Sequence, residues 1–324
     1  MVGGLFVFDE IHAYDAHTVA LILEMVRILK RLGGRFLFMS ATFPDFLKAL
    51  IQEALQSEVS PGGKSRRLVS LDIHGEDDWA SRFLCFPRHR LNWRQEALEA
   101  MLDQMIAQAR AGQRVLVVAN RVAQAQYLYQ QLRRALGGGV FLLHSRFTRR
   151  DRTRKEQGIL AALQRSSRGW KHRRHTADVR ALVATQVVEV SLDISFDVLF
   201  TEIAPVDDLL QRMGRTNRYG ERGEPADVYV CLGADRDRLK WIYDLERVDA
   251  TISTAPPDGK PLTAEDASEW HRRVYATGWT SKELRVFEDA RRAFAALADS
   301  IRPLRGDAGG EEQFHRLFRG MEVL

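Results

Sequence analysis

The sequence predicts an α/β fold built on parallel sheets, followed by a helical segment at its C-terminal end. Three observations carry that prediction. Short apolar runs of strand length alternate with segments whose apolar residues recur at helical spacing, the pattern of successive βαβ units. Glycine pairs and triplets close the helical segments, as at Gly33-Gly34 and Gly137-Gly138-Gly139. Acidic and hydroxyl residues follow directly on apolar runs, where parallel strands present ligand-binding groups at their carboxyl ends.

Leu5-Phe6-Val7-Phe8 is a short apolar run of the kind buried in a parallel sheet. Val19 to Leu32 has helical spacing and runs into Gly33-Gly34. Arg35 to Met39 forms a second strand, and Pro44 suits the first turn of a helix reaching about Gln56. Ser57 to Arg67 is polar and glycine-rich, hence a loop or linker. The pattern restarts with a helix over Gln95 to Ala111, a buried strand over Arg114 to Ala119 and a helix over Val122 to Leu136. Val140 to Leu143, Arg180 to Ala184, Val198 to Ile203 and Asp227 to Leu232 read as further strands, with a helix opening at Asp208 to Met213. From Gly233 the character changes to charged helical segments such as Ser281 to Ile301, broken by Ala255-Pro256-Pro257-Asp258-Gly259. The organisation expected is residues 1–65, 66–232, and an extension over 233–324.

At 324 residues the chain is long enough for about two domains. With 45% hydrophobic and 28% charged residues it is neither disordered nor fibrous. A net charge of +5 permits an anionic partner without demanding one. Two cysteines, Cys85 and Cys231, give no disulfide framework. No apolar run reaches the roughly 18 residues of a membrane span, and the first apolar stretch runs into Asp9-Glu10, unlike a secretory signal. A soluble, cytoplasmic protein is expected.

The chemistry concentrates in three places. Asp9-Glu10-Ile11-His12 puts adjacent carboxylates at a strand end, where one can hold Mg²⁺ through water and the other can position an attacking water. Taken alone, such a pair is more often a solvated turn. Ser40-Ala41-Thr42 ends the next strand; alone it would be a helix cap. Gln211-Arg212-Met213-Gly214-Arg215-Thr216-Asn217-Arg218 places Gln211 and Arg215 four apart, so a helix would project Gln211, Arg215 and Arg218 from one face. Guanidinium forks suit phosphate oxygens.

These motifs, together with Ala13-Tyr14-Asp15, Leu143-His144-Ser145-Arg146-Phe147 and the run from Ala184 to Asp193, resemble superfamily 2 helicases with two RecA-like domains. Within them the pattern is similar to the DExH helicase of type I CRISPR interference, recruited by the RNA-guided Cascade complex to unwind and degrade target DNA. The resemblance covers about residues 5 to 232. It implies two RecA-like parallel-sheet domains, the first incomplete, with ATP and Mg²⁺ as cofactors and single-stranded DNA in the cleft between the domains. Asp9 would organise Mg²⁺, Glu10 would activate the attacking water and His12 would link the acidic box to the second domain. Ser40 and Thr42 would couple hydrolysis to strand movement. Arg215 and Arg218 would reach the triphosphate, with Gln211 beside them and Asp193 on the ribose. His144, Ser145 and Thr185 would meet the DNA backbone. Other readings are another superfamily 2 DNA or RNA helicase, and an inactive nucleic-acid-binding remnant.

Arg146 to Arg180 holds twelve basic residues against three acidic ones and includes Trp170, which suits a phosphate-tracking surface with a base-stacking aromatic. A solvated basic loop is the competing reading. The 324 residues contain no Gly-x-x-x-x-Gly-Lys-Ser/Thr loop; Pro61-Gly62-Gly63-Lys64-Ser65 has Glu58 where the first glycine belongs. Nor do they contain a His-Asp pair of the kind the family's nuclease uses. The sequence is therefore expected to be part of a longer enzyme that does not turn over ATP by itself.

Overall fold

A computed structural model of the chain describes residues 3–11, 14–40, 43–56, 85–167, 179–191, 194–220 and 222–300, with 312 and 316 beyond them. Two compact units divide it, one of residues 1–73 and 271–324, the other of residues 74–270.

The first unit begins with β1 (Leu5–Phe8), α1 (Ala16–Arg31), β2 (Arg35–Phe38) and α2 (Asp45–Gln56). The strands pair in parallel, Phe8 opposite Phe38. Helix α1 starts earlier than its apolar spacing suggests because Asp15 caps it, its carboxylate accepting the Thr18 N–H at 2.7 Å. It ends where Gly33 (φ +83°) turns left-handed, and the Gly33 and Gly34 amides donate to Lys30 and Leu29 carbonyls at 3.0 and 2.9 Å. Val19, Ile22, Leu23 and Val26 of α1 bury against Leu47, Ile51 and Leu55 of α2. Phe8 and Phe38, partly buried, pack against that core and stack at 5.2 Å. On the other side of the strands Leu5, Val7 and Leu37 are exposed by 60, 52 and 45%.

The second unit carries β3 (His89–Arg94), a 3₁₀ turn at Leu98–Met101, α3 (Leu102–Arg110), β4 (Val115–Val118), α4 (Val122–Leu136) and β5 (Val140–Leu143). There follow α5 (Arg149–Ser167), β6 (Ala181–Ala184), α6 (Val188–Ser191), β7 (Val198–Glu202), α7 (Val206–Met213) and β8 (Ala226–Cys231). Then come α8 (Arg236–Leu239), α9 (Leu245–Ser253), β9 (Pro261–Leu262) and α10 (Ala264–Val274), whose residues from His271 on are counted with the first unit. Its sheet runs β5-β6-β4-β7-β8-β3-β9, parallel except for β9 against β3. Strands β4, β6 and β7 are buried at every position, as expected of a parallel sheet covered on both faces. A last helix, α11 (Ser281–Ser300), belongs to the first unit, where Phe287, Ala290 and Phe294 join the α1–α2 core.

The predicted α/β class and parallel sheets are what the structure has. Three features differ from the sequence reading. Strand β3 was not anticipated: its arginines and asparagine lack an apolar run, and it pairs through Arg90 and Asn92, both within reach of Asp227 on β8. The basic stretch after β5 is a helix over Arg149–Ser167, started by Thr148, whose hydroxyl accepts the Asp151 N–H, and anchored by buried Ile159, Ala162 and Leu163. Its remainder, with Trp170, lies outside the described residues. The segment from residue 233 is shared between the two units. No described helix is long and apolar enough to cross a membrane.

Candidate functional site

In the first unit the acidic box leaves the carboxyl end of β1. Glu10 adopts φ +49°, and its N–H donates to the Asp9 carboxylate at 2.9 Å; both side chains are exposed. The Met39 N–H donates to Phe8 O at 2.8 Å and the Ile11 N–H to Met39 O at 3.2 Å. These bonds bring half-buried Ser40 off β2 beside the acidic turn. His12 and Thr42 lie outside the described residues. Among the described residues no three His, Cys, Asp or Glu side chains cluster to hold a metal. A divalent ion at Asp9 would therefore draw its other ligands from water and phosphate, which is the habit of Mg²⁺. Asp9 fits such an ion.

In the second unit His144, Ser145 and Thr185 lie at the carboxyl ends of β5 and β6, whereas Arg215 and Arg218 lie beside the residues that enter β7 and β3. His144 follows β5 and is only 3% exposed. Its ring stacks on Phe147 at 4.0 Å, and Lys155 of α5 stands 4.4 Å over the other ring. The Gln126 amide donates to His144 Nε2 at 3.3 Å. Burial, with help from Lys155 and Arg146, holds the imidazole below its ordinary value and neutral at pH 7. The surface at this strand end is made by Ser145 and Arg146, both exposed, next to exposed Arg149 and Arg150. Thr185 follows β6, 1% exposed, its N–H donating to Leu143 O at 3.1 Å; its buried hydroxyl has no hydrogen-bond partner among the described residues. Asp193 lies outside the described residues.

The arginine segment departs from the helical expectation. Helix α7 ends at Met213 with Gly214 as its cap, so Gln211, half-buried, does not share a helical face with Arg215 and Arg218. Thr216 instead bridges Phe196, and Asn217 takes φ +46°. The Arg215 guanidinium donates to the backbone carbonyl of Glu189. The Arg218 N–H donates to Ser195 Oγ at 3.2 Å, and its guanidinium lies 5.9 Å over Tyr219. Buried His89 Nε2 donates to Thr216 O at 2.7 Å from β3; desolvation pushes that imidazole down to about 4.

Sequence reasoning overlooked Arg212, which is fully buried. All five of its N–H groups are used. Nε donates to the Glu189 carboxylate at 2.8 Å. Nη1 donates to Thr201 Oγ1 at 2.8 Å and Glu202 O at 3.1 Å. Nη2 donates to Asn120 Oδ1 at 3.2 Å and the Tyr243 hydroxyl at 2.8 Å. Burial opposes the Arg212 charge, but Tyr243, Glu189 and Asp208 outweigh it and raise its affinity for the proton. Burial and then Glu189 push Asp208 up to about 8, so Asp208 is protonated at pH 7. Leu209 and Met213 are buried on the same stripe of α7 at the i−3 and i+1 positions, the one signal that marked Arg212 as an inward residue.

A family model described as CRISPR-associated nuclease/helicase Cas3, C-terminal, matches residues 111–221, from just before β4 to just beyond the arginine loop. The CRISPR-associated endonuclease/helicase Cas3 of Escherichia coli K12 is 33% identical over 267 residues, 76% of this chain. This chain belongs to the Cas3 helicase family. It spans about a third of the length of the curated Cas3 relatives it matches. T. fusca Cas3 with AMPPNP shares the fold at a TM-score of 0.69 and 23% identity, over 90% of this chain and 38% of that one. A chain of a CRISPR RNA-guided surveillance complex, pre-nicking, does so at 0.65 and 20%, over 88% and 40%. The Cas3 family match ends before Tyr243, so one partner of the buried arginine comes from beyond it.

Proposed function

We propose that this chain is the helicase portion of a type I CRISPR interference effector, a cytoplasmic enzyme that spends ATP to move along single-stranded DNA and unwind a target chosen by a Cascade-type RNA-guided complex. Two observations support this reading: an exposed basic surface at the carboxyl end of β5, and an arginine loop after α7 that is tied to the segment following β6 through the Arg215–Glu189 contact. Mg²⁺ and ATP supply the phosphoryl group and the counter-charge for its transfer to water. Asp9 would hold the ion, Glu10 would orient and deprotonate the attacking water, and His12, Ser40 and Thr42 would relay the outcome. Arg215 and Arg218 stabilise charge on the transferring group, a task worth about 10³–10⁵ in rate in related chemistry. Gln211 and Asp193 hold the nucleotide. Ser145 and Arg146 grip phosphates without reading bases, as translocation requires; Thr185, and His144 behind them, support that grip.

The test uses the chain itself with a fluorescein-labelled oligo(dT) of twenty nucleotides. Binding should fall steeply with salt, and Arg146→Ser or Arg150→Ser should each lower the logarithmic salt slope by about 0.7, one single-strand phosphate contact. With no phosphate-cradling sequence among its 324 residues, the chain alone should not hydrolyse ATP. Salt-insensitive binding would count against the DNA reading. DNA-stimulated hydrolysis abolished by Glu10→Gln would overturn the inactivity of the isolated chain.

A further inference from the structure

The segment after β8 was opaque at the level of sequence, yet it sends one side chain to the centre of the second unit. Tyr243, between α8 and α9, accepts hydrogen bonds at its hydroxyl from Gln186 Nε2 at 3.2 Å and from Arg212 Nη2 at 2.8 Å. Gln186 belongs to the loop after β6, beside Thr185, and its Nε2 also donates to Asn120 O at 3.1 Å. Arg212 belongs to α7, one turn before the arginine loop. It grips the Glu189 carboxylate, while the Glu189 carbonyl receives Arg215. A continuous chain of polar contacts thus runs from Gln186 through Tyr243, Arg212 and Glu189 to Arg215. The phenol stays protonated, since burial pushes its pKa up further than the Arg212 charge lowers it.

We propose that Tyr243 is a positioning residue that couples the strand-binding loop after β6 to the arginine loop, so that nucleic acid held at one end orders Arg215 and Arg218 at the other. This rests on the DNA reading above. The physical basis is that Gln186 of the loop after β6 and Arg212 of α7, which leads into the arginine loop, donate to one acceptor oxygen. A shift of Gln186 that weakens its bond to Tyr243 changes what Arg212 can hold, and a buried guanidinium cannot leave a donor unmet without cost. Gln186 and Arg212 meet at two places, the Tyr243 hydroxyl and Asn120, whose carbonyl accepts from Gln186 and whose side-chain oxygen accepts from Arg212; only at the tyrosine do both donate to a single atom.

Hydrogen exchange on the chain, with and without oligo(dT) of twenty nucleotides, tests this. In the unsubstituted chain the oligonucleotide should slow amide exchange both at 185–189 and at 214–218. Tyr243→Phe keeps the ring and removes the shared oxygen. It should leave oligonucleotide affinity and protection at 185–189 intact but lose the protection at 214–218 by about tenfold, the worth of one hydrogen bond to a charged donor. Gln186→Met, which leaves the Tyr243–Arg212 bond in place, should lose the same protection at 214–218 and serves if Tyr243→Phe folds poorly. A purely structural tyrosine would lower thermal stability without separating the two segments. Protection at 214–218 that survives both substitutions overturns the coupling while leaving the DNA reading standing. An oligonucleotide that protects neither segment in the unsubstituted chain overturns both.

Discussion

Arg212→Gln separates architecture from chemistry within the arginine segment. The wild-type guanidinium is buried and fully used, with five donated hydrogen bonds and an ion pair to Glu189. Glutamine can satisfy at most two of those acceptors and leaves the Glu189 carboxylate without its cation. Removing one partner of a buried ion pair costs about 3–5 kcal/mol, against a total stability of roughly 5–15 kcal/mol for a folded domain. For a unit of this size each kcal/mol moves the midpoint by about 2–4 °C, so Tm should fall by roughly 10 °C. Scanning calorimetry at pH 7 would show it, and urea titration would give the same loss as a lower midpoint with an unchanged slope. Arg212→Met combined with Glu189→Leu removes both charges and should recover much of the loss, because an apolar pair replaces the uncompensated carboxylate. Arg215→Gln alters a loop residue and should move Tm far less. A Tm within about 2 °C of wild type for Arg212→Gln, well below the shift expected of an orphaned buried charge, would refute this account of the core.

Two pH dependences follow from neighbouring groups. His89 stays neutral down to about pH 4 in the folded chain, whereas an unfolded imidazole takes its proton near 6.5. Its contribution is therefore complete above pH 6.5 and lost as pH falls towards 4, by about 3 kcal/mol at 1.36 kcal/mol per unit; urea midpoints across that window should flatten in His89→Gln. Asp208 works in the opposite sense. Its folded proton is held up to about pH 8 against a model carboxylate at 3.8, so its contribution is full below 3.8 and lost as pH rises through 8. Asp208→Asn should remove the decline in stability between pH 7 and 8, read as the urea midpoint at each pH.

Much of this was legible in the residues, and the reasons differ from place to place. Buried parallel strands such as Val115–Val118 and Ala181–Ala184 announce themselves as unbroken apolar runs, and helix Val122–Leu136 is bounded by the glycines that end it. Strand β3 was hidden because its stabilising partner, Asp227, lies 130-odd positions away on another strand. Helix α5 was hidden because only three of its described side chains reach the core, which leaves too weak a period under its arginines. At the site, spacing singled out Arg215 and Arg218 on the premise of a helix, which Gly214 ends before them. Arg212 and Tyr243 were missed for one shared reason. Local sequence says what a side chain carries, while a buried acceptor network is assembled from five separate segments.

The outward side of the two-stranded sheet bears on every measurement proposed above. Leu5, Val7 and Leu37 alternate onto it, well exposed to water, with Met39 just beyond at 39%. Four such side chains make a sticky surface, and salt both screens the +5 charge that keeps chains apart and strengthens apolar association. A salt series intended to weaken DNA binding would at the same time favour self-association through this side. Sedimentation at each ionic strength, or protein kept at nanomolar levels, distinguishes loss of ligand from loss of monomer.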